Sequence, residues 1–570
     1  MAASHQLSLI EVPVALTELA HDPGADYGEV FTRRWIVELI LDLVGYTADE
    51  DLGARVLVEP SCGTGAFLVP IVDRLIASCR KHGRELGSIG GCIRAFDLLD
   101  ANAQRARKAA ALRLQEAGVE QEAAGGIAGE WVATGDFLLA DYEPVSVHHV
   151  VGNPPYIRLE NVRPEVMAEY RRRCVTMRGR SDIYVGFIEL GLELLAPQGT
   201  LGFICADRWM RNQYGADLRA LVTGSYAVDA VLTMHDVDAF EDDVSAYPAV
   251  VVLRNGAQRR AVVADASAEF GVEDAGRLAR WVKRPGRRTL VTSAVEASRV
   301  DNWFDGGDLW PSGSAAHLAL VAQLESSFPP LEDPSTGTRV GIGVATGCDD
   351  VYITRDQSSV EVDRLLPLLQ ASDIADGAPQ WSGTFLINPW NGRGLVDLDA
   401  HPRLARHLQG HESRLRARHI ARTKPGQWYR TIDRVHDDLL ERPKLLLPDI
   451  KAASHPVLDD GRFYPHHNLY FVVSEQWDLE VLGGLLLSDV ANLFVAAYCV
   501  KMRGGCYRFQ AQYIRRIRVP VPESVPKTAR SALATAFGRR DRDAASSVAA
   551  ELYGVDASAV TAMVGRSGPS

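Results

Sequence analysis

The chain has 570 residues, of which 46% are hydrophobic and 24% are charged, ordinary values for a globular protein of two to four domains. Its eight cysteines form no Cys-x-x-Cys pair and no Cys/His spacing suited to zinc, so we expect a reducing, cytoplasmic compartment and no metal site. The net charge of −12 argues, taken alone, against a nucleic-acid partner.

Two apolar stretches are candidates for a targeting or membrane segment. The stretch near the amino terminus is short and contains two glutamates, which argues against a signal peptide. The longest stretch, residues 479–500, contains Glu480, Asp489 and Asn492 and is predicted to be a buried helix or strand pair. We therefore expect a soluble protein without a membrane partner.

From residue 55 to about residue 255, short β-branched runs alternate with longer helical stretches. Repeated strand–helix units of this kind predict an α/β domain built on a parallel sheet with helices on both faces. The predicted strands are residues 56–59, 93–97, 150–153, 200–206 and 250–253, and the predicted helices are residues 66–86, 101–117 and 184–195.

The remainder of the chain has a different character. Glycine, proline and serine are scattered through residues 257–335 with weak periodicity, which predicts a linker. Short strands and loops rich in Trp, Tyr, Pro and Asn are expected over residues 336–525, and an Ala-rich helical tail over residues 526–570.

Positive charge is concentrated in the second half. Residues 401–520 carry 19 Lys/Arg against 12 Asp/Glu, and residues 401–430 carry eight against one. A local basic surface on an acidic chain is typical of a protein face that follows phosphates. The alternative is a solvated helix face.

Residues 56–65, Val-Leu-Val-Glu-Pro-Ser-Cys-Gly-Thr-Gly, form a predicted strand and a tight glycine turn before a helix. Gly63 and Gly65 permit positive φ and close approach of a ligand, and such a turn lies under the cofactor in nucleotide-binding sheets. No Gly-Lys-Ser/Thr follows, so it is not a phosphate loop. Glu59 would repel a pyrophosphate but could accept hydrogen bonds from a cationic amino group, such as that of a methionine moiety. An ordinary strand–turn–helix is the alternative.

Two further predicted strand ends carry acids. Asp97 is placed where a carboxylate can hold two ribose hydroxyls, with Asp100 as a nearby competitor. Asp136 and Phe137 then place a carboxylate beside an aromatic ring, which suits the amino group and the ring of an adenine. Each acid alone is more often a surface residue, but three acids at successive strand ends favour a cofactor site.

The tetrapeptide Asn153-Pro154-Pro155-Tyr156 follows an apolar strand. An exocyclic aromatic amine is a poor nucleophile because its lone pair is delocalised into the ring. Acceptors on its two N–H groups, the Asn153 side-chain oxygen and the Pro154 carbonyl, would localise that lone pair for attack on a sulfonium methyl group. Tyr156 offers a face for stacking on a flipped base. The alternative, a plain proline turn, leaves this placement unexplained.

These motifs resemble those of the N6-adenine DNA methyltransferases of restriction–modification systems, of the TaqI/Eco57I type. The order of cofactor motif, catalytic motif and recognition region is that of the gamma class. The resemblance runs from Tyr27 to about Val521, and it implies a Rossmann-like class I S-adenosylmethionine-dependent methyltransferase domain followed by an α+β target-recognition domain. The looser C-terminal similarity includes Gly341-Ile-Gly-Val-Ala-Thr-Gly347.

The resemblance also implies roles for individual residues. Thr32, in a motif where Arg33 replaces the usual proline, is similar to a threonine that contacts the cofactor carboxylate. Phe240 resembles an aromatic that packs the flipped base against Tyr156. The residues expected at the S-adenosyl-L-methionine site are Thr32, Glu59, Gly63, Gly65, Asp97, Asp136, Phe137, Pro155 and Phe187.

We therefore predict a site-specific adenine-N6 methyltransferase with its catalytic domain in residues 1–256. The expected partner is double-stranded DNA, with a cognate restriction endonuclease acting on the same site without a stable complex. A monomer in the cytoplasm of a bacterium or archaeon is expected. The alternatives are an RNA-base methyltransferase and an inactive methylase-like protein that binds DNA.

Overall fold

The computed structural model describes residues 9–10, 30–142, 146–241, 247–284, 286–301, 303–502 and 505–565. The chain divides into two compact units, Met1–Ala316 and His317–Ser570, which are called unit 1 and unit 2 below.

Unit 1 is built on a mixed sheet, which in the described residues has ten strands. The five strands at one side are mutually parallel, and Pro248–Arg254 is antiparallel to both of its neighbours. In spatial order the strands are Thr289–Val291, Val295–Val300, Ala261–Ala266, Ala227–Thr233, Pro248–Arg254, Leu195–Ala206, Val147–Gly152, Leu57–Glu59, Ile93–Asp97 and Val132–Thr134.

Helices cover both faces of this sheet. Neighbouring residues of one strand belong to different apolar clusters, as with Leu57 and Val58 or Phe203 and Ile204, because side chains alternate between the two faces. The helices of unit 1 are Arg34–Leu43, Leu68–His82, Asp100–Glu116, Gln121–Trp131, Pro164–Arg173, Tyr184–Glu193, Arg208–Arg211, Ala216–Ser225 and Val272–Lys283. The expected α/β, Rossmann-like class is confirmed.

Two details of the predicted organisation were wrong. The sheet is not wholly parallel, because Pro248–Arg254 lies between Leu195–Ala206 and Ala227–Thr233 and is antiparallel to both. Much of the predicted linker, residues 257–335, belongs to unit 1: three of its segments are sheet strands, beginning with Ala261–Ala266, which pairs in parallel with Ala227–Thr233. Pairing with a distant strand stabilises these short segments, and their local composition does not show it.

Unit 2 is α+β and contains small sheets. A four-stranded antiparallel sheet has the order Arg339–Ile342, Leu469–Val473, Lys444–Pro448 and Val457–Asp459. A second four-stranded sheet is mixed and has the order Ile353–Thr354, Phe385–Ile387, Leu365–Leu369 and Tyr464–Pro465, with the last two strands parallel to each other. The smaller pairings join Trp390–Asn391 to Gly394–Leu395, and Ile450–Lys451 and Val500–Met502 to Cys506–Arg508.

The helices of unit 2 include the predicted C-terminal helical region. Its first helix packs on Leu479–Leu487, so this region is part of the compact unit. Apart from Ala315–Ser327, which spans the boundary, the helices are Asp349–Tyr352, Pro402–Gly410, Glu412–Ala417, His419–Thr423, Asp437–Leu440, Leu479–Leu487, Asp489–Tyr498, Ala511–Ile514, Lys527–Arg539, Arg542–Tyr553 and Ala557–Gly565.

The long apolar stretch of residues 479–500 folds as two helices and a short strand. Among the described residues no single helix is both long and apolar enough to cross a membrane. The helices Leu479–Leu487 and Asp489–Tyr498 reach that length only as a pair, and they are bent by 62° at the break.

Several arginines of the basic segment, residues 401–430, are bound to other groups of unit 2. The Arg418 guanidinium donates hydrogen bonds to four backbone carbonyl oxygens. Arg414 pairs with Asp350, and Arg416 pairs with Glu412 while its guanidinium lies 4.9 Å from the centre of the Trp428 ring. Several of these positive charges therefore stabilise unit 2 itself.

A buried ion pair lies at one end of the antiparallel four-stranded sheet of unit 2, between the strands Lys444–Pro448 and Val457–Asp459. Lys444 Nζ is 2.8 Å from Asp459 Oδ2, and both side chains are completely buried. Lys444 also donates to the carbonyl oxygens of Leu439 and Arg442. The carboxylate is the only one of these three partners that carries a full charge.

We expect the substitution Asp459→Ala to destabilise unit 2 by about 3–5 kcal/mol, because it leaves a buried ammonium group without its counter-charge. Urea denaturation followed by tryptophan fluorescence measures this change. Glu412→Ala is the matched control, since its pair with Arg416 is partly exposed and should contribute only about 0.2–1 kcal/mol. Equal losses in the two variants would show that the buried pair has no special role.

Candidate active site

A cavity of unit 1 lies at the carboxyl ends of the parallel strands, the usual position of a ligand site in such a sheet. Strands Leu57–Glu59, Ile93–Asp97 and Val147–Gly152 each end beside it. The predicted site residues that line this cavity are Thr32, Glu59, Gly63, Asp97, Asp136, Phe137, Asn153, Pro155 and Phe187. Residues far apart in sequence therefore surround one space.

Glu59 is the most deeply buried acid of the cavity. Its side chain is fully buried, and neither carboxylate oxygen has a hydrogen-bond partner within the described residues. Burial, with a smaller contribution from the negative charge of Asp97, raises the pKa of Glu59 well above its usual value. A carboxyl group left in this condition suits a cationic ligand, which would both hydrogen-bond and neutralise it.

The glycine turn brings backbone N–H groups to Asp97. Gly63 and Gly65 have φ values of +52° and +105°, which other residues rarely adopt. The Gly63 N–H donates to Asp97 Oδ2 at 2.8 Å, and the Leu99 N–H donates to Oδ1 at 2.9 Å. Both oxygens are held in fixed directions while the residue still borders the cavity. Gly65 itself does not line the cavity; a side chain there would meet the helix Asp100–Glu116.

Asp136 is held by a residue that no sequence motif indicated. The Tyr170 hydroxyl donates to Asp136 Oδ2 at 2.5 Å, and the Leu138 N–H donates to Oδ1 at 2.9 Å. Burial raises the pKa of Asp136, and these hydrogen bonds oppose that shift. Tyr170 lies on the helix Pro164–Arg173, whose charged sequence resembles an ordinary surface helix.

Two aromatic residues form one wall of the cavity. The Phe137 and Phe187 rings are stacked, with centroids 5.4 Å apart and an angle of 24° between their planes. They pack on each other rather than facing across an open slot. Their role in enclosing an adenine ring stays a prediction.

Asn153 is held in one orientation by its amide nitrogen. Nδ2 donates to the backbone carbonyl of Val30 at 2.8 Å and to Thr32 Oγ1 at 3.2 Å. The side-chain oxygen Oδ1 is buried and has no hydrogen-bond partner within the described residues. The Ser61 hydroxyl donates to the Asn153 backbone carbonyl at 3.0 Å, which steadies the start of the proline pair. Asn153 therefore offers a free acceptor at the cavity.

Tyr156 and Phe240 lie together but outside the lining of the cavity. Their ring centroids are 6.2 Å apart at an angle of 78°, an edge-to-face contact, so no flat slot for a base is open between them. Phe240 reaches this position because it pairs with Thr32 in an isolated β-bridge. The motif that contains Thr32 is Gly28-Glu-Val-Phe-Thr32, and the segment that resembles the family at Phe240 is residues 240–246. Residues 28–29 of the first and 242–246 of the second lie outside the described residues.

Several residues that line the cavity were missed by the sequence reasoning. Phe31 lies within the predicted N-terminal motif, so its neighbour Thr32 gave a signal for it. Ser61 lies within the glycine-turn motif, which gave a signal for it as well. The others have no recognisable motif, because they lie in the segment that follows the tetrapeptide and meet the site only in the fold. They include Asn161, Arg163, Tyr170 and Ile183.

A Rossmann-like sheet whose strand ends place three acids and an Asn-Pro-Pro-Tyr turn beside one cavity defines a class I methyltransferase. Residues 137–240 match the family described as Eco57I restriction-modification methylase. The chain is 42% identical to the Type II methyltransferase M.XhoI of Xanthomonas vasicola, over 93% of this chain and 97% of the relative. It is 43% identical to the Type II methyltransferase M.PaeR7I of Pseudomonas aeruginosa, over 95% of each chain.

The chain therefore belongs to the Type II methyltransferases of restriction–modification systems, and it is a DNA methyltransferase. The resemblance found in the sequence motifs is confirmed. Among solved structures, the Type IIL restriction-modification enzyme MmeI in complex with DNA shares the fold, with a TM-score of 0.55 at 12% identity over 94% of this chain and 74% of that one.

The burial of Glu59 should lower the stability of the folded chain by an amount that depends on pH. Because burial raises its pKa, the folded chain keeps the Glu59 proton at pH values where the unfolded chain has already lost it. The wild type is therefore penalised as pH rises above the usual range of a carboxyl group, whereas an amide does not ionise. We expect Glu59→Gln to raise the Tm more at pH 8 than at pH 5.

Differential scanning calorimetry of the ligand-free protein at both pH values measures this difference. Glu85→Gln is the control, because it removes an exposed carboxyl group. The difference in Tm between this variant and the wild type should be the same at both pH values. A Glu59→Gln protein whose Tm follows the wild type at both pH values would contradict a buried, unpaired carboxyl group.

Proposed function

We propose that this DNA methyltransferase transfers the methyl group of S-adenosyl-L-methionine to the N6 amino group of adenine in double-stranded DNA. The observation that supports this most directly is the buried Asn153 Oδ1, an acceptor without a hydrogen-bond partner in the described residues and beside the cavity. An exocyclic amine brings the donor that this atom lacks.

The amide of Asn153 is suited to activate such an amine. With Nδ2 engaged by Val30 and Thr32, Oδ1 accepts one N–H of the base, and the Pro154 carbonyl accepts the other. Two acceptors on one amino group pull its nitrogen towards tetrahedral geometry and localise its lone pair, which is electrostatic stabilisation by groups already in place. Tyr156 supplies the face on which the extruded base stacks.

The acids of the cavity are proposed to hold the methyl donor. Glu59 would bind the cationic amino group of its methionine part, Asp97 the ribose hydroxyls and Asp136 the adenine amino group, with Thr32 at the carboxylate. S-adenosyl-L-methionine, when bound, supplies the methyl group from a positively charged sulfur. The unpartnered oxygens of Glu59 support this fit, because they need a cation.

Unit 2 is proposed to recognise the DNA sequence, as one monomeric chain that carries both catalysis and recognition. Exposed cations of its basic segment that have no partner within the described residues, such as Arg406 and Lys424, suit contacts to phosphates. The names of the relatives support a role in restriction–modification, in which methylation in the cytoplasm would protect host DNA from a cognate endonuclease.

The test is single-molecule sequencing of DNA from a methylation-free host that expresses the protein. We expect N6-methyladenine at one short motif, and Asn153→Ala should lower the rate of methylation in vitro by at least about 100-fold, the loss typical when one stabilising group is removed. Thr32→Val is the matched variant. It removes one of the two acceptors that orient Asn153 but keeps Oδ1, so it should lose less than Asn153→Ala.

Methylation at cytosine N4 would overturn adenine as the target. Unmodified DNA from well-folded protein, together with methylation of RNA by the same preparation, would move the substrate to RNA. Asn153→Ala protein as active as the wild type would remove Asn153 from the mechanism.

A second variant tests the role of Asp136 in cofactor binding. Tyr170→Phe removes the hydroxyl that orients Asp136 Oδ2, and the loss of one hydrogen bond to a charged group costs about 1.5–3 kcal/mol. We expect the Kd for S-adenosylhomocysteine, measured by calorimetry, to rise by about 10-fold to 150-fold. Asn153→Ala should leave that Kd near the wild-type value, which separates cofactor binding from catalysis.

A further inference from the structure

Unit 2 contains a cluster of three potential metal ligands that the sequence did not reveal. Asp349, His466 and His467 each offer a ligand atom, and these atoms all lie within 4.8 Å of one another. Asp349 and His466 are 117 positions apart, so no short sequence spacing marks them. His466 is buried, Asp349 is half-buried and His467 is exposed, which leaves one side of the cluster open to solvent.

The Asp349 side chain is oriented by a hydrogen bond to its other carboxylate oxygen. The Thr346 hydroxyl donates a hydrogen bond to Asp349 Oδ1, and the Cys348 N–H donates to Thr346 Oγ1 at 3.0 Å. Oδ2 is thereby left to face His466. Carboxylates that bind metals are commonly held by a further hydrogen bond of this kind.

The two histidines lie on a tightly held loop. The His467 N–H donates to the Val344 carbonyl at 3.1 Å, and the Leu469 N–H donates to the His466 carbonyl at 2.8 Å. Gly343 permits this packing, because a Cβ atom there would come within 2.2 Å of the His466 carbonyl oxygen. The loop backbone is therefore held in a defined place, and the two imidazole rings have centroids 4.0 Å apart.

The distance between the ligand atoms of His466 and Asp349 is closer to that between two ligands of one metal ion than to the length of a charged hydrogen bond. His466 Nε2 lies 3.3 Å from Asp349 Oδ2. A charged hydrogen bond is usually about 2.7–2.9 Å long. Two ligands of one tetrahedral Zn²⁺, each about 2.0–2.2 Å from the metal, are about 3.4 Å apart. The ligand atom of His467 lies within 4.8 Å of the other two, and its side chain is exposed.

We propose that Asp349, His466 and His467 bind one divalent transition-metal ion, for which Zn²⁺ is the favoured candidate. Two imidazoles and a carboxylate are a donor set that zinc accepts, and three protein ligands leave a fourth position for solvent or another ligand. The ion would join the start of the helix Asp349–Tyr352 to the loop before Leu469–Val473.

The test uses untagged, full-length protein stripped with EDTA and titrated with Co²⁺, which reports tetrahedral binding through its visible absorption. We expect one Co²⁺ per chain, displaced by Zn²⁺. His467→Ala and Asp349→Asn should each weaken Co²⁺ affinity at least tenfold. His419→Ala, which removes an exposed histidine elsewhere in unit 2, should leave the affinity unchanged.

Thermal unfolding gives a second measurement. Zn²⁺ should raise the Tm of the wild type and of His419→Ala, because an ion that binds only the folded chain stabilises it, and should raise it less in the other two variants. Equal metal affinity in the wild type and all three variants would show that Asp349 and His467 do not bind the ion, and would overturn the proposed site. Fewer than one bound Co²⁺ per wild-type chain at saturation would overturn the site, leaving Asp349 and His466 as an ion pair.

Discussion

Asn153 has one orientation because its amide nitrogen is bound by groups from another part of the chain, Val30 and Thr32. Thr32 is itself held by the bridge to Phe240. Three segments of unit 1 must therefore fold together before the Asn153 side chain takes this orientation beside the cavity. An amide free to rotate would present its nitrogen about as often, and a donor cannot accept a hydrogen bond from an amine. The chemistry proposed for the site depends on this constraint.

The acids around the cavity show that the site is not arranged for maximum stability. Within the described residues the Glu59 carboxyl group has no hydrogen-bond partner, whereas Asp97 and Asp136 each accept hydrogen bonds from the protein. An unpaired buried carboxyl group costs free energy unless a ligand satisfies it. This difference marks Glu59 as the acid that most needs a cation, and it is consistent with the expectation that functional sites carry local strain that the rest of the fold offsets.

In unit 2, by contrast, several buried or half-buried positive charges have partners within the protein. Arg418 donates to four carbonyl oxygens, and Lys444 is buried against Asp459. Positive residues that look like a nucleic-acid surface in the sequence are thus partly structural. Composition reports how many cations a segment contains, while the fold decides which of them remain available to a phosphate.

The sequence by itself determined the class of the fold, the glycine turn, the acids at the strand ends and the Asn-Pro-Pro-Tyr turn, because these features are local and depend on periodicity and on a few consecutive residues. Only the tertiary structure decided that residues 261–300 complete the sheet of unit 1, that Tyr170 holds Asp136 and that Asp349 meets two histidines. Each of these depends on contact between residues distant in the chain. Such contacts are stabilised by burial and pairing in the folded molecule and leave no periodic trace in the sequence.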